Sequence, residues 1–484
     1  MRRHSIRPSS ISPCQRDTSS SMPDAESTVP RTTPLRVALV SLGCPKNLVD
    51  SERMLGLLHQ AGIELAADPE TADCVVVNTC AFIRDAQEEA IDAVLEMAAR
   101  KRAGRLRGLI VAGCLPQRHG RALLEEIPEI DALIGPGRLA DIVRAAESLG
   151  GAGPRPVALD GFPCVDPAAP RERIGAPHSA YLKIAEGCDH RCRFCLIPRL
   201  RGPQRSRALA AIERELLQLA EEGVREVTLV AQDTSAYGRD LSPRHSLAGL
   251  LQRLRRRGGP DWIRVLYTHP AHWSEELIAV FAEGRPLLPY IDLPVQHVSA
   301  AVLRAMGRGG RASELRNLLE RLRRRIPGAV LRTTVMTGHP GEGAAEFQEL
   351  LGFIRQFPFD RLGAFAYSPE DGTRSAKVPS RVSAAEARRR RDLVLAQQRE
   401  ISRELQLRRR GSRVDLLIDG VAPQRHLWVG RSYGEAPEID GMIYVKAAGP
   451  EWGAEPGEMR PVRIVAAGPY DLIARPVAAG GGEG

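Results

Sequence analysis

The sequence predicts an α/β chain in three parts: an N-terminal parallel-sheet α/β domain, a partial (β/α)6 barrel and a small C-terminal β-barrel. Three patterns predict it. The runs "RVALVSLGC", "DCVVVNTC" and "RGLIVAGC" are short, β-branched and end in cysteine, each followed by a helical pattern, as buried parallel strands are. Six further apolar runs, from "AYLKIAEGC" to "RLGAFAYSPEDGT", are separated mostly by amphipathic helical segments. After Arg410 the pattern changes to short alternating segments broken by Gly and Pro, which is a small-barrel signature. The length agrees, since 484 residues exceed one comfortable core and suggest about three domains.

Residues 1–34 are rich in Ser, Pro, Thr and Arg without apolar periodicity and are expected to be disordered. Cys14 there reads as an incidental thiol and Met22 as an alternative start; Asp17, Asp24 and Glu26 argue against a transit peptide. Residues 35–150 form the first domain. Parallel strands joined by helical crossovers end on one edge of their sheet, where open α/β folds bind ligands, so Cys44, Cys80 and Cys114 should converge there. Three small core cysteines are the alternative. Cys74 begins a strand, and Cys164 lies in the Gly/Pro-rich stretch 151–175, which reads as a linker; neither is expected to bind metal. Residues 176–410 are the barrel. Polar residues just after its strands should line its working face, which nominates Gln232, Asp233, His269, Gln296, His297, Arg332 and His339. Residues 411–476 are the small barrel, and 477–484 a flexible tail.

No stretch approaches the run of about 18 apolar residues that crosses a bilayer, and no signal-peptide pattern opens the chain, so a cytoplasmic protein without a membrane partner is expected. Nine cysteines are too sparse for a disulfide framework; clustered thiols in a reducing compartment more often hold metal. The net charge of +9 argues only weakly for nucleic acid. Five of the 68 basic residues are lysine, and Arg-rich helices such as "ARRRRDLVLAQQRE" read as solvated faces.

The densest signal is "AEGCDHRCRFC", residues 185–195, which spaces Cys188, Cys192 and Cys195 as C-x-x-x-C-x-x-C. A closed zinc site wants four ligands, and His190 would supply the fourth in that reading. A cubic iron-sulfur cluster on three thiolates instead keeps one iron open. An electron-carrying ferredoxin usually supplies four cysteines and needs no large barrel.

This spacing at the end of a first barrel strand resembles the radical S-adenosylmethionine enzymes. The resemblance implies that the open iron chelates the amino and carboxylate groups of S-adenosylmethionine and that reductive cleavage releases a 5'-deoxyadenosyl radical. Phe194 matches the aromatic residue that commonly precedes the last cysteine, and "VMTGHPGE", with Gly338, looks like the family's Gly-Pro turn. The cofactor-binding candidates are then Phe194, Gln232, Asp233, Gln296, Arg332 and Gly338.

Over residues 35–476 the arrangement resembles the methylthiotransferases, whose small β-barrel is called the TRAM domain. Cys44, Cys80 and Cys114, in "SLGCPKN", "VNTCAF" and "AGCLPQ", fall on that family's second-cluster positions. The resemblance implies two 4Fe-4S clusters and S-adenosylmethionine as cofactors, all six cysteines as catalytic metal ligands, and an electron-donating reductase or flavodoxin as a partner. The second cluster's open iron would carry the sulfur that is methylated and donated.

Branches of the family modify a tRNA adenosine or an aspartate of small-subunit ribosomal protein S-twelve. "SLGCPKNLVDSE" and "APEIDGMIYV" look like the ribosomal-protein branch, whereas the tRNA enzyme typically has Gln-Met-Asn after its first cysteine. Residues 411–476 also carry seven basic and nine acidic residues, a net −2, which suits a basic polypeptide better than RNA. Trp428, Tyr433, Tyr444 and Trp452 are candidates for base stacking, but alternating positions in a small barrel usually serve its core. The expected activity is methylthiolation of the β-carbon of that aspartate. A tRNA adenosine is the lesser alternative, and a noncatalytic iron-sulfur protein of ribosome assembly is the alternative of another class.

Overall fold

The computed structural model describes residues 35–149, 153–162, 169–379, 382–422, 427–446 and 452–477. The expectations for residues 1–34, Cys14, Cys164 and nearly all of the C-terminal tail lie outside the described residues. The described residues fall into two compact units, one within Met1–Ala81 and Asp85–Gly175, the other within Phe82–Arg84 and Ala176–Gly484.

The first unit holds strands β1 (Arg36–Ser41), β2 (Glu64–Leu65), β3 (Cys74–Thr79), β4 (Gly108–Gly113), β5 (Ala132–Ile134) and β6 (Val157–Ala158), in the order β2-β1-β3-β4-β5-β6. All pairs are parallel. β3 and β4 are buried at every residue, which is why they read as continuous apolar runs. The stretch expected to be a linker departs from that reading. Val157–Ala158 pairs with β5 and covers what would otherwise be an open sheet edge. Downstream, Arg171 Nε donates to Glu52 Oε2 at 2.8 Å and the Ile174 amide to Glu52 Oε1 at 2.9 Å, satisfying a carboxylate buried in helix Pro45–Gln60.

In the second unit, β7 (Ser179–Lys183) leads to a short antiparallel pair, β8 (Ala185–Glu186) and β9 (Arg205–Ser206). β10 (Glu226–Val230), β11 (Trp262–Val265), β12 (Leu287–Asp292), β13 (Val330–Thr337) and β14 (Arg361–Ala366) complete an open parallel sheet with β7, in the order β7-β10-β11-β12-β13-β14. These six strands are the expected partial barrel. Its core joins Leu182, Leu229, Val265, Ile291 and Leu331 to helical leucines such as Leu216, Leu250, Leu319 and Leu350.

Helix Ala384–Arg408 leads to a closed barrel of β15 (Arg413–Ala422), β16 (Leu427–Arg431), β17 (Ile443–Val445), β18 (Met459–Ala467) and β19 (Leu472–Pro476), ordered β15-β16-β17-β19-β18. Closure removes the exposed edges that a five-stranded sheet would present. Trp428 and Trp452 meet edge-on at 5.9 Å against its core.

This small barrel docks on the starts of the larger barrel's strands. Glu226, the first residue of β10, is fully buried; it accepts from Arg264 Nε at 2.7 Å and from Arg431 of β16. Arg431 also grips both oxygens of Asp419 at 2.9 Å, and His178 Nε2 reaches the same carboxylate at 2.9 Å. Tyr290 donates to Asp440 at 2.6 Å, and Arg361 to Glu435 at 3.0 Å.

The docking corrects the electrostatic expectation for residues 411–476. Asp419, Glu435 and Asp440 are consumed at the junction, as is Arg431. Among the described residues that remain, Asp415, Glu438, Glu455, Glu458 and Asp471 are balanced by Arg413, Lys446, Arg460, Arg463 and Arg475. The acidic excess is therefore not a free surface.

Candidate active site

In the first unit, Cys44 caps helix Pro45–Gln60, Cys80 follows β3, and Cys114 opens helix Cys114–His119 directly after β4. All three thus stand at the carboxyl edge of one parallel sheet. Side-chain amides and a hydroxyl tie their turns together. Asn47 Nδ2 donates to the Leu42 and Thr79 carbonyls at 3.0 and 2.9 Å, and Asn78 Nδ2 to the Asn47 carbonyl at 2.9 Å. Thr79 Oγ1 donates to the Ala112 carbonyl at 2.6 Å and accepts from the Leu115 amide at 3.2 Å. Gly43 brings the first turn against Cys80. Its φ is +94°, and a Cβ there would sit 2.7 Å from Cys80 Cβ and 3.3 Å from its Sγ. Asn47, Asn78 and Thr79 were missed from sequence, although "PKN" and "VNT" place them beside cysteines. Cys74, at the opposite end of β3, is fully buried, and burial raises its thiol above the ordinary range.

In the second unit, Cys188, Cys192 and Cys195 occupy the loop after β7 and β8. The Cys188 amide donates to the Gly202 carbonyl at 3.1 Å, the Cys195 amide to the Cys192 carbonyl at 3.2 Å, and the Ile197 amide to Cys195 Sγ at 3.4 Å. Burial and neighbouring thiols push Cys188 up to about 11 and Cys195 up to about 12. Metal is bound by the thiolate form, so loading this loop releases protons from Cys188 and Cys195. That fits an iron-sulfur cluster.

The nominated residues divide. Gln232 Nε2 donates to Glu186 Oε1 at 2.5 Å, while its Oε1 is buried without a partner. Gln296 Oε1 is likewise buried and unpartnered, on a residue held at φ +66° by an isolated bridge to Val335. These two amide oxygens fit N–H or O–H groups of a polar cofactor. Phe194 packs against Val302, Met306 and Met336 and lies edge-on to His339 at 6.1 Å. Gly338 has φ +79°, a Cβ there would overlap Ala387, and its amide donates to Glu342 Oε2 at 2.9 Å. His339 is clamped between the Pro340 carbonyl and Ser375, each at 2.8 Å. His297 is fully buried and accepts from the Ser299 amide at 3.0 Å.

Two nominated residues are engaged in ion pairs within the protein. Arg332 is the third residue of β13, not its end, and its Nη1 donates to Asp292 Oδ1 at 2.6 Å inside the barrel. Asp233 is already saturated: Oδ1 accepts from Ser235, and Oδ2 faces His190 Nε2 at 2.6 Å and His272 Nδ1 at 3.0 Å. It orients histidines. His190, the fourth ligand of the zinc reading, is thereby engaged through Nε2. Sequence reasoning also missed Glu186, which collects Lys183, Arg201 and Gln232 beneath the cysteine loop, and Arg308, whose Nη1 lies 3.7 Å from Cys192 Sγ.

Residues 36–135 match Uncharacterized protein family UPF0004, residues 182–354 the Radical SAM superfamily, and residues 411–477 the TRAM domain. A protein of Desulforudis audaxviator named ribosomal protein uS12 methylthiotransferase RimO is 48% identical over 443 residues, covering 91% of this chain and 96% of the relative. Its namesake from Pelotomaculum thermopropionicum is 44% identical over 446 residues, covering 92% and 99%. The solved structure of TsrM from Kitasatospora setae, a radical S-adenosylmethionine methyltransferase with cobalamin and a 4Fe-4S cluster bound, shares the fold at TM-score 0.52 and 16% identity, over 69% of this chain and 75% of that one. With two three-cysteine sheet edges, a TRAM barrel and identity of this extent along nearly its whole length, the chain belongs to the ribosomal protein uS12 methylthiotransferase RimO family.

Proposed function

We propose that this chain attaches a methylthio group to the β-carbon of an aspartate in ribosomal protein uS12. The observation that carries the reading is the pair of three-thiol sets, each at the carboxyl edge of its own parallel sheet, in a chain whose relatives bear that name. Cys188, Cys192 and Cys195 would hold one 4Fe-4S cluster, and Cys44, Cys80 and Cys114 the other. When bound, these groups and S-adenosylmethionine supply reductive radical generation and a transferable sulfur. The chain's own residues bind and orient. The Gln232 and Gln296 amide oxygens accept hydrogen bonds from the cofactor, Glu186 fixes the Gln232 side chain, and Gly338 lets the turn after β13 pass close to helix Ala384–Arg408. A reductase or flavodoxin delivers the electrons, and the reaction takes place in the cytoplasm.

The test is anaerobic. Cluster-loaded protein is incubated with S-adenosylmethionine and reductant, and with either small ribosomal subunits or tRNA. The expected result is 5'-deoxyadenosine together with methylthio-aspartate in uS12. Product on tRNA alone would transfer the activity to the adenosine branch; absence of deoxyadenosine with either substrate would leave a noncatalytic iron-sulfur protein.

A further inference from the structure

Beside the radical-cluster loop, His190, His269 and His272 form a stack. Ring centroids are 4.4 Å apart for His190 and His269, 5.3 Å for His190 and His272, and 5.1 Å for His269 and His272. Their nitrogens lie within 4.8 Å of one another, the spacing of a three-histidine metal site. Hydrogen-bond bookkeeping argues otherwise. An arginine and a backbone amide can only donate, and a carboxylate can only accept. Arg239 Nη1 lies 2.8 Å from His272 Nε2, so that nitrogen is an acceptor and Nδ1 carries the proton facing Asp233. The Ala271 amide lies 3.2 Å from His269 Nδ1, so His269 is protonated on Nε2. His269 therefore offers a donor, not a lone pair, and the lone pair of His272 is covered.

His269 also lines a cavity of about 280 Å³ with Arg308, Arg311, Arg321 and Glu314, walled by Leu315 and Leu318. The lining thus includes three arginines and one glutamate. Arg321 is held by Glu275 at 2.8 Å, whereas Arg308 has no carboxylate partner among the described residues: its Nη1 lies 3.7 Å from the cluster-ligand candidate Cys192 Sγ and its Nη2 donates to the Pro294 carbonyl at 3.1 Å. Burial and the Arg308 charge keep His269 neutral across the working pH range. A planar guanidinium and a fixed neutral N–H beside an apolar wall suit a planar anion with two oxygens.

We infer that this cavity is a carboxylate-binding subsite in which Arg308 and His269 Nε2–H hold one carboxylate next to the radical-cluster loop. Two carboxylates belong to the reaction: the side chain of the target aspartate, which rests on the proposed function, and the methionyl carboxylate of S-adenosylmethionine.

The experiment compares cluster-loaded wild-type protein with Arg308→Gln and Arg308→Lys. Equilibrium dialysis measures S-adenosylmethionine binding. In parallel, binding is measured to small ribosomal subunits carrying either aspartate or asparagine at the modified position of uS12. If the subsite takes the substrate, Arg308→Gln weakens binding of the aspartate subunits at least tenfold, leaves the asparagine subunits and the cofactor unchanged, and Arg308→Lys restores part of the loss. If it takes the cofactor, the tenfold loss appears in dialysis, again partly restored by lysine. The lysine variant, which keeps the charge, separates a lost contact from a lost fold. Unchanged affinity in both arms overturns the subsite. Wild-type protein that binds no subunits, yet loses cofactor affinity on Arg308→Gln, retains the subsite and sinks the ribosomal substrate.

Discussion

Arg431 and Glu226 form an ion pair with both side chains buried, joining the small β-barrel to the first residue of β10. Glu226 is held ionised against its burial by Arg431 and Arg264 together, and Arg431 is shared in turn with Asp419. The TRAM barrel is thus fastened to the end of the larger barrel opposite its cysteine loop. Arg431→Met should lower stability by about 3–5 kcal/mol, because it leaves buried carboxylates short of a counter-charge. Urea unfolding followed by tryptophan fluorescence checks this, since Trp428 and Trp452 report the small barrel. A change below about 1 kcal/mol would show the pair to be solvated and weak.

The same junction predicts an acid transition. Burial by itself would raise the Glu435 carboxyl, but the Arg409 and Arg361 guanidiniums outweigh it and hold the group at about 2, against 4.5 ordinarily. A depressed carboxyl contributes its stability above the unfolded value and loses it as pH falls through the folded one. Thermal midpoints should therefore drop between pH 4.5 and about 2, and Glu435→Gln should flatten that slope while lowering stability at neutral pH. An unchanged slope would count against the pair.

Gly43→Ala should damage one cysteine set and spare the other. The added methyl would meet Cys80 Cβ at 2.7 Å on a backbone with φ +94°. Reconstituted variant should hold roughly four irons where the wild type holds roughly eight, with 5'-deoxyadenosine formation retained. Full iron content in the variant would mean that this turn does not shape a cluster pocket.

Strands ending in cysteine and the C-x-x-x-C-x-x-C loop are local patterns, so the sheets and the six thiols could be read directly. Arg332 was nominated among residues just after strands, yet five residues of β13 follow it; "VLRTTVMT" is largely β-branched, and nothing local marks where the strand leaves the barrel. β6 has only two residues, too few for an alternation to show, and so it was read as linker. The Asp233–His190 contact spans 43 residues, and the Arg431–Glu226 contact 205. Pairings of that range are invisible to composition. That is also why the net −2 of the small barrel does not describe its free surface: a sum of charges does not say which of them face an arginine across a junction.

The most direct test of the two-site account is iron and acid-labile sulfide per chain, measured after anaerobic reconstitution of wild type, Cys80→Ser and Cys188→Ser. The account predicts roughly eight irons for wild type and roughly four for each variant, with 5'-deoxyadenosine formed by Cys80→Ser and not by Cys188→Ser. Roughly four irons in the wild type, zinc in either set, or loss of both clusters from a single substitution would contradict it.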